Sequence, residues 1–341
     1  MNQKDILFTF DYELFLGPKS GSVKNCIIIP TQKVVQVLED FNLIAVFFVD
    51  CTYLHQLKKV SEKNAKAAQD YEEISNQIQS LILNNHEVYP HIHPHWKDAI
   101  YHPESNNWDL SDLTHYRLDS LEKEEQKTVF QVALNCLNSI IKPVKPDYKP
   151  IAFRAGGWCI QPFSNFSPFF NEFGINSDFS VLGGAKKDSN ALKFDFSEIQ
   201  PNATPYSFSQ EVSIPEKNGI YRQYPISSVS FNKRNLPNRI LEYILWRTPP
   251  GQKFGDGQSA QIINKHQETE YDQKMEMVSI ELLNLSRLET YKAFLRKNQY
   301  MQFISHPKMI TPHNLSVLKK FLGFTTKRYQ VNSDWKKIIM A

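Results

Sequence analysis

The sequence predicts an α/β fold built on parallel strands, and two patterns carry that expectation. Short, almost continuously apolar runs alternate along the chain with longer segments whose apolar residues recur at helical spacing. This is the pattern of strand–helix–strand units whose sheet is covered on both faces. In addition, five apolar runs end in charge or imidazole: Asp11 and Glu13 in TFDYE, His91 and His95 in HIHPHW, Arg154 in FRAGGW, Asp178 in NSDFS and His306 in FISHP. Such groups are costly to desolvate unless they have a partner or a task. In barrels of alternating strands and helices, the C-terminal strand ends open onto the one face that holds the active site. Carboxylates, imidazoles and a guanidinium converging there point to a metal-dependent hydrolytic centre.

The elements follow in order. Residues 6–10 read as a buried first strand, and 31–42 as a helix with Val34, Val35, Leu38 and Phe41 at helical spacing. The second strand is 43–49 (LIAVFFV), and the helix at 61–83 places Ile74, Ile78 and Leu81 on one face. Residues 87–91 form a third strand that runs straight into the histidines. The stretch 97–118, rich in Asn, Asp and His, lacks periodicity and reads as a long loop on the active face. A helix at 119–141 is stopped by Pro143, Pro146 and Pro150, and strand 151–154 delivers Arg154. A short aromatic helix at 165–173 ends at Gly174, a C-cap, before strand 175–181.

Regularity weakens over 182–219; 220–231 reads as one or two strands and 238–246 as a helix. The Gly/Pro-rich stretch at 246–261 is either a lid or a surface excursion. A long amphipathic helix at 271–298 carries Met277, Ile280, Leu288, Tyr291 and Leu295 near one face. Strand 300–304 delivers His306, and a helix at 314–322 closes the chain. The expectation is one domain with an inserted, irregular region at about 183–265.

With 341 residues, 41% of them hydrophobic and 22% charged, the chain can bury a sizeable core. Thirty-nine basic against 36 acidic residues give +3, which predicts no nucleic-acid partner. Cys26, Cys51, Cys136 and Cys159 form no CxxC and read as buried, reduced thiols, with Cys159 either near the site or a small core residue. No leader pattern opens the sequence and no apolar run approaches a membrane span, so a cytoplasmic location is expected. No oligomeric state is specified.

His91 and His95 are spaced i, i+4, which on a helical turn would put both imidazoles on one side, where they can share a cation. On that reading His93 points away, and His86 caps a helix end. A carboxylate from another strand end would complete a facial triad. Glu13 is the best candidate, and Asp11, two residues upstream in an extended segment, faces the same pocket. Two adjacent carboxylates tend to divide the roles of ligand and base. His306 could protonate a leaving group, Asp178 could fix its tautomer, and Arg154 could keep Asp11 ionised. Each also has an ordinary alternative: Arg154 in a buried ion pair, Asp178 in a turn, His306 in the core. Trp96 and Trp158 adjoin the site segments and either stack on a sugar or wall the pocket.

The order DYE, HxxxH, RAGGW, an aspartate strand and a late I-S-H resembles the polysaccharide deacetylase family (carbohydrate esterase family 4, the NodB-homology fold), from Ile6 to about Phe321 apart from 183–265. The resemblance implies a distorted (β/α)-type barrel of about seven strands holding a divalent metal, zinc above all, with cobalt, nickel or manganese as substitutes. It implies Asp11 as base, His91 and His95 as ligands, Arg154 as the residue holding the base, and His306 as acid tuned by Asp178. The backbone N–H at Gly157 would serve the oxyanion. Tyr12 stands where the family has a second aspartate, so Glu13 becomes the ligand, as in D-x-E variants. Trp96 replaces a proline, and Arg-Ala-Gly-Gly-Trp replaces Arg-x-Pro-Tyr. The opening ILFTFDYELFLG is similar to a branch associated with surface-polysaccharide (O-antigen or capsule) biosynthesis. The implied activity is removal of an N-acetyl group from an amino sugar. Its rivals are hydrolysis of a small linear or cyclic amide and saccharide binding without catalysis.

Overall fold

The computed structural model describes residues 2–230, 244, 247–262 and 275–338. Seven parallel strands carry the fold: β1 (Gln3–Tyr12), β2 (Val46–Asp50), β3 (Glu87–Ile92), β4 (Ala152–Ala155), β5 (Ser177–Asp178), β6 (Tyr221–Gln223) and β7 (Tyr300–Ser305). They lie side by side in the order β6-β5-β4-β3-β2-β1-β7. Parallel neighbours need long crossovers. Helices supply most of them: α1 (Ile29–Glu39), α2 (Cys51–Ser61), α3 (Ala65–Leu83), α4 (Lys123–Ile141), α5 (Ser167–Phe173) and α6 (Leu285–Lys297), with α7 (Pro312–Thr326) after the last strand. A short antiparallel strand, Tyr206–Phe208, edges β6, and Gln330–Asn332 pairs with the start of β1.

Period-two alternation sorts each strand's residues between two layers. On β1, Ile6, Phe8, Phe10 and Tyr12 face the helices and join the main core, with Phe10 stacked on Phe47 of β2 at 5.1 Å. The opposite parity, Leu7, Val46, Phe48, Tyr89 and Tyr300, forms a second cluster with Phe179, Tyr224 and Trp335. Continuing upward on that inner face, the same parity delivers Asp11, Asp50, His91 and Arg154. The inner face is thus an aromatic plug below and a polar floor above.

The curled sheet closes without a regular ladder. Leu182 bridges Ile226, and Ser227 N–H donates to Gln302 O of β7 at 3.4 Å while its Oγ accepts from Gln302 N–H at 3.0 Å. Val278 N–H then donates to Ser227 O at 2.8 Å. The architecture is the distorted α/β barrel expected, and residues 221–228, inside the expected insertion, are part of its wall.

Three elements differ from expectation. The helix at 61–83 is the second of two: Asp50 Oδ1 accepts from Tyr53 N–H at 3.1 Å and starts α2, and Asn64 starts α3. The helix expected at 271–298 begins only at Leu285, behind its cap Asn284. Met275–Met277 is a strand paired with Ser228–Ser230, so Met277 ends a strand and Ile280 lies in the turn beyond it rather than on a helix stripe. The helix at 238–246 falls outside the described residues apart from Ile244. All four cysteines are free and buried. Among the described residues no helix is long and apolar enough to cross a membrane.

Asp50 ties the strand end to two elements, since its other oxygen accepts from Trp96 Nε1 at 2.5 Å. Asp50→Ala removes a helix cap and strands a buried indole N–H, so it should destabilise the fold by about 2–4 kcal/mol. Urea unfolding should show a lowered midpoint at an unchanged slope.

Candidate active site

Arg154 is wholly buried beneath the site. Its Nη1 donates to Asp11 Oδ1 at 2.6 Å, Nη2 to Thr9 Oγ1 at 2.7 Å and Nε to Phe179 O at 2.9 Å, and its guanidinium lies 4.3 Å from the centre of the Phe48 ring. Each of the three guanidinium nitrogens donates, so the ring and three acceptors fix one orientation. Burial pushes the Asp11 pKa upward; Arg154, His91 and His306 outweigh it and hold the carboxyl below its ordinary value.

Glu13 sits across from Asp11. Its Oε1 accepts from Lys308 Nζ at 2.8 Å. Its Oε2 lies 2.9 Å from His93 Nε2 and 3.4 Å from His91 Nε2, yet receives no well-directed hydrogen bond. Against the opposing effect of burial, Lys308, His93 and His91 hold this carboxyl well below its ordinary value. His91 Nδ1 is 2.8 Å from Arg154 O. A carbonyl only accepts, so Nδ1 carries the proton and Nε2 presents a lone pair, the tautomer of a metal-ligating histidine.

Glu13, His91 and His93 therefore bring three buried ligand atoms within 4.8 Å of one another. A carboxylate oxygen without a directed donor beside two imidazole nitrogens is a donor set that suits a divalent ion such as zinc. The expectation was His91 with His95. The backbone instead stays extended through His93 (φ −115°, ψ 96°), so i and i+2 share a side and His93 rather than His95 stands beside Glu13 and His91. Only at Pro94 does a 3₁₀ turn begin, and it carries His95 against Tyr116, ring centres 4.7 Å apart. Both His95 ring nitrogens are buried without a partner, and burial brings its pKa down to about 3. His93 needs Gly156 beside it, because a Cβ there would lie 2.6 Å from both His93 Nδ1 and Ile92 O.

His306 Nε2 stands 3.6 Å from both Asp11 Oδ2 and Glu13 Oε1. The carboxylate in contact with it is Glu281, while the hydrogen bonds of Asp178 run to Ser180. Glu281 Oε2 lies 3.2 Å from His306 Nδ1 and accepts the backbone N–H of His306 at 2.8 Å. Asp178 instead accepts from Ser180 N–H at 2.8 Å and Ser180 Oγ at 2.7 Å, and burial raises its pKa to about 6. Ser180 Oγ in turn accepts from Ala155 N–H, so Asp178 braces the ends of β4 and β5 around Arg154.

Trp96 is no platform for a sugar: it is fully buried, packed on Tyr53 at 4.8 Å and Trp108 at 5.5 Å. Trp158 is half-buried, edge-on to Phe194 at 5.8 Å. Gly157 takes φ +56° in the turn Gly156–Trp158 that follows β4, and a Cβ there would strike Leu192 and Tyr116. Lys308 and Glu281 are the site residues that sequence reasoning missed. Lys308 had a signal, as it lies two residues beyond His306. Glu281 had none.

Above these groups a cleft of about 240 Å³ is lined by Glu13, Glu281, His306 and Lys308 and walled by Leu113, Tyr116, Ser259 and Ala260. The Gly/Pro-rich stretch behaves as a wall. Phe254, Gly255, Gln258 and Ala260 donate backbone N–H groups to Ile310, Lys308, Lys19 and Leu16 at 2.7–3.0 Å. Gly17 permits this approach, since a Cβ there would lie 2.2 Å from Ala260 N.

No family profile and no curated protein matches the chain. Among solved structures it is similar to the catalytic domain of a peptidoglycan N-acetylglucosamine deacetylase from Eubacterium rectale (12% identity, 99% of this chain and 91% of that one, TM-score 0.41). It is also similar to the Puue allantoinase (10% identity, 97% and 86%, TM-score 0.46). A third is the 4-alpha-glucanotransferase of Thermococcus litoralis (10% identity, 97% and 39%, TM-score 0.49). What the site can do is decided by its own residues.

Arg154→Met should cost about 3–5 kcal/mol by leaving Asp11 buried and unpaired, and adding Asp11→Asn should recover part of that loss. Because both carboxyl pKa values lie below their unfolded values, their contribution is present above the unfolded pKa and is lost as pH falls through the folded one. Arg154→Met should lose less stability than wild type on acidification, as read from urea midpoints across pH.

Proposed function

We propose that the protein is a divalent-metal-dependent hydrolase that removes an N-acyl group, acetyl in the simplest case, from an amino sugar of a surface glycan or its precursor. The observation that carries this is the clustering of a Glu13–His91–His93 group, an Asp11 held by Arg154, and His306, at the floor of a cleft lined by Glu13 and His306. Bound by those three side chains, the ion would supply Lewis acidity toward the amide carbonyl and the attacking water. Asp11, kept ionised by Arg154, takes the proton from that water. The backbone N–H at Gly157 is the candidate donor to the oxyanion. His306 gives its Nε2 proton to the departing nitrogen as the C–N bond breaks. The new C–O bond leaves a carboxylic acid and a free amine.

One observation favours a second reading on the same chemistry. With Trp96 buried, the described residues lining the cleft include no indole for a sugar, and a small linear or cyclic amide would fit the same groups. Acetate release from N-acetylated sugars, run beside ring opening of allantoin-like amides, separates the two. Release from neither would favour a binding protein and sink both.

Metal analysis of purified variants should find about one ion per chain in wild type, lost in Glu13→Ala, His91→Ala and His93→Ala and kept in His95→Phe. Loss in His95→Phe with retention in His93→Ala would overturn the ligand set. Asp11→Asn should lower kcat by about 10²–10⁴-fold with the metal retained. Burial alone would lower the His306 pKa, but Glu281, then Asp11 and Glu13, raise it to about 9. As the acid it must be protonated, so kcat should hold below that pH and fall as pH rises through it.

A further inference from the structure

We propose that Glu281 is the positioning residue of His306, and that the stretch 278–281 is stitched to the end of β7 to hold it there. This rests on the reading of His306 as the proton donor. A single oxygen, Glu281 Oε2, meets His306 twice, at the backbone N–H (2.8 Å) and at Nδ1 (3.2 Å). Holding main chain and ring from one atom restricts the side-chain torsions of His306. It also assigns the N–H to Nδ1 and turns Nε2 toward the cleft, between Asp11 and Glu13.

Glu281 is itself held by contacts that touch no reacting group. Ser305, the residue before His306, accepts Ile280 N–H on its Oγ at 2.9 Å and lies 3.2 Å from Ser279 Oγ. Ser279 N–H donates to Tyr291 OH of α6 at 2.9 Å, and Glu281 N–H to Ser279 Oγ at 3.2 Å. Ile304 N–H donates to Val278 O at 3.0 Å. The stretch therefore moves with β7. Asp178, the carboxylate the sequence order pointed to, has both oxygens engaged by Ser180 and serves the Arg154 side instead.

The test uses the full chain with Glu281→Ala, Glu281→Gln, Ser305→Ala and Asp178→Asn, reading acyl-release kinetics, metal content and the His306 ring in crystal structures. Glu281→Ala should lower kcat by about 10²-fold with KM and metal content little changed, and the ring should leave its single orientation. Glu281→Gln keeps an acceptor oxygen, so it should preserve the ring pose and recover part of kcat. Ser305→Ala should show a smaller loss in the same direction. An unchanged kcat and ring pose in Glu281→Ala, or a His306 ring displaced in Asp178→Asn as far as in Glu281→Ala, would overturn the proposal. If wild type releases acyl groups from no probe, the proposed function fails, while the ring pose in Glu281→Ala and Glu281→Gln still decides whether Glu281 positions His306.

Discussion

Everything in the site is referred to the buried guanidinium of Arg154. A charge that deep survives only if its hydrogen bonds and counter-charge are all supplied. Asp11 and Thr9 of β1, Phe48 of β2 and Phe179 after β5 supply them from three separate stretches of the barrel. The backbone carbonyl of the same arginine then sets the tautomer of His91. One residue thereby orients the base through its side chain and a candidate ligand through its main chain. The aromatic plug beneath makes this affordable, because it excludes water from the floor while presenting a ring face to the cation.

Much of this was legible in the chain. The apolar runs around Phe8, Phe47, Tyr89, Phe153 and Phe303 announced strands, and their polar last residues announced a shared face. The Arg154–Asp11 pairing followed from chemistry, since a buried arginine needs a carboxylate. Errors came where local geometry decides. Spacing alone cannot tell whether His91-Ile-His-Pro-His runs as a strand or a turn, and Pro94 settles it by letting the strand continue to His93 before the chain turns. Trp96, which adjoins the histidines, reads equally as a platform or a pocket wall in the sequence, and in the structure its indole N–H is taken by Asp50 beneath the surface.

Glu281 was invisible for another reason. It falls inside the stretch 271–298 that reads as one amphipathic helix, and its place beside His306 arises from a contact across 25 residues of sequence. Tertiary stitching through Ser305 and Ser279 overrides the helical periodicity of Met277 and Ile280. The Gly/Pro-rich wall is similar: Gly17 and Gly255 matter because other backbone must pass close to them, which no single-position preference records.

The pairing of charges also says how the protein relates to a bound ion. Asp11 has Arg154, Glu13 has Lys308 and Glu281 has His306, so each carboxylate already has a cationic or proton-donating neighbour of its own. In small zinc domains the ion is a staple, and removing it unfolds the chain. Here the ion would be a guest in a chamber whose electrostatics are settled beforehand. Exhaustive chelation should silence the chemistry while leaving the thermal unfolding transition cooperative, and a collapse of that transition would show the ion to be structural after all.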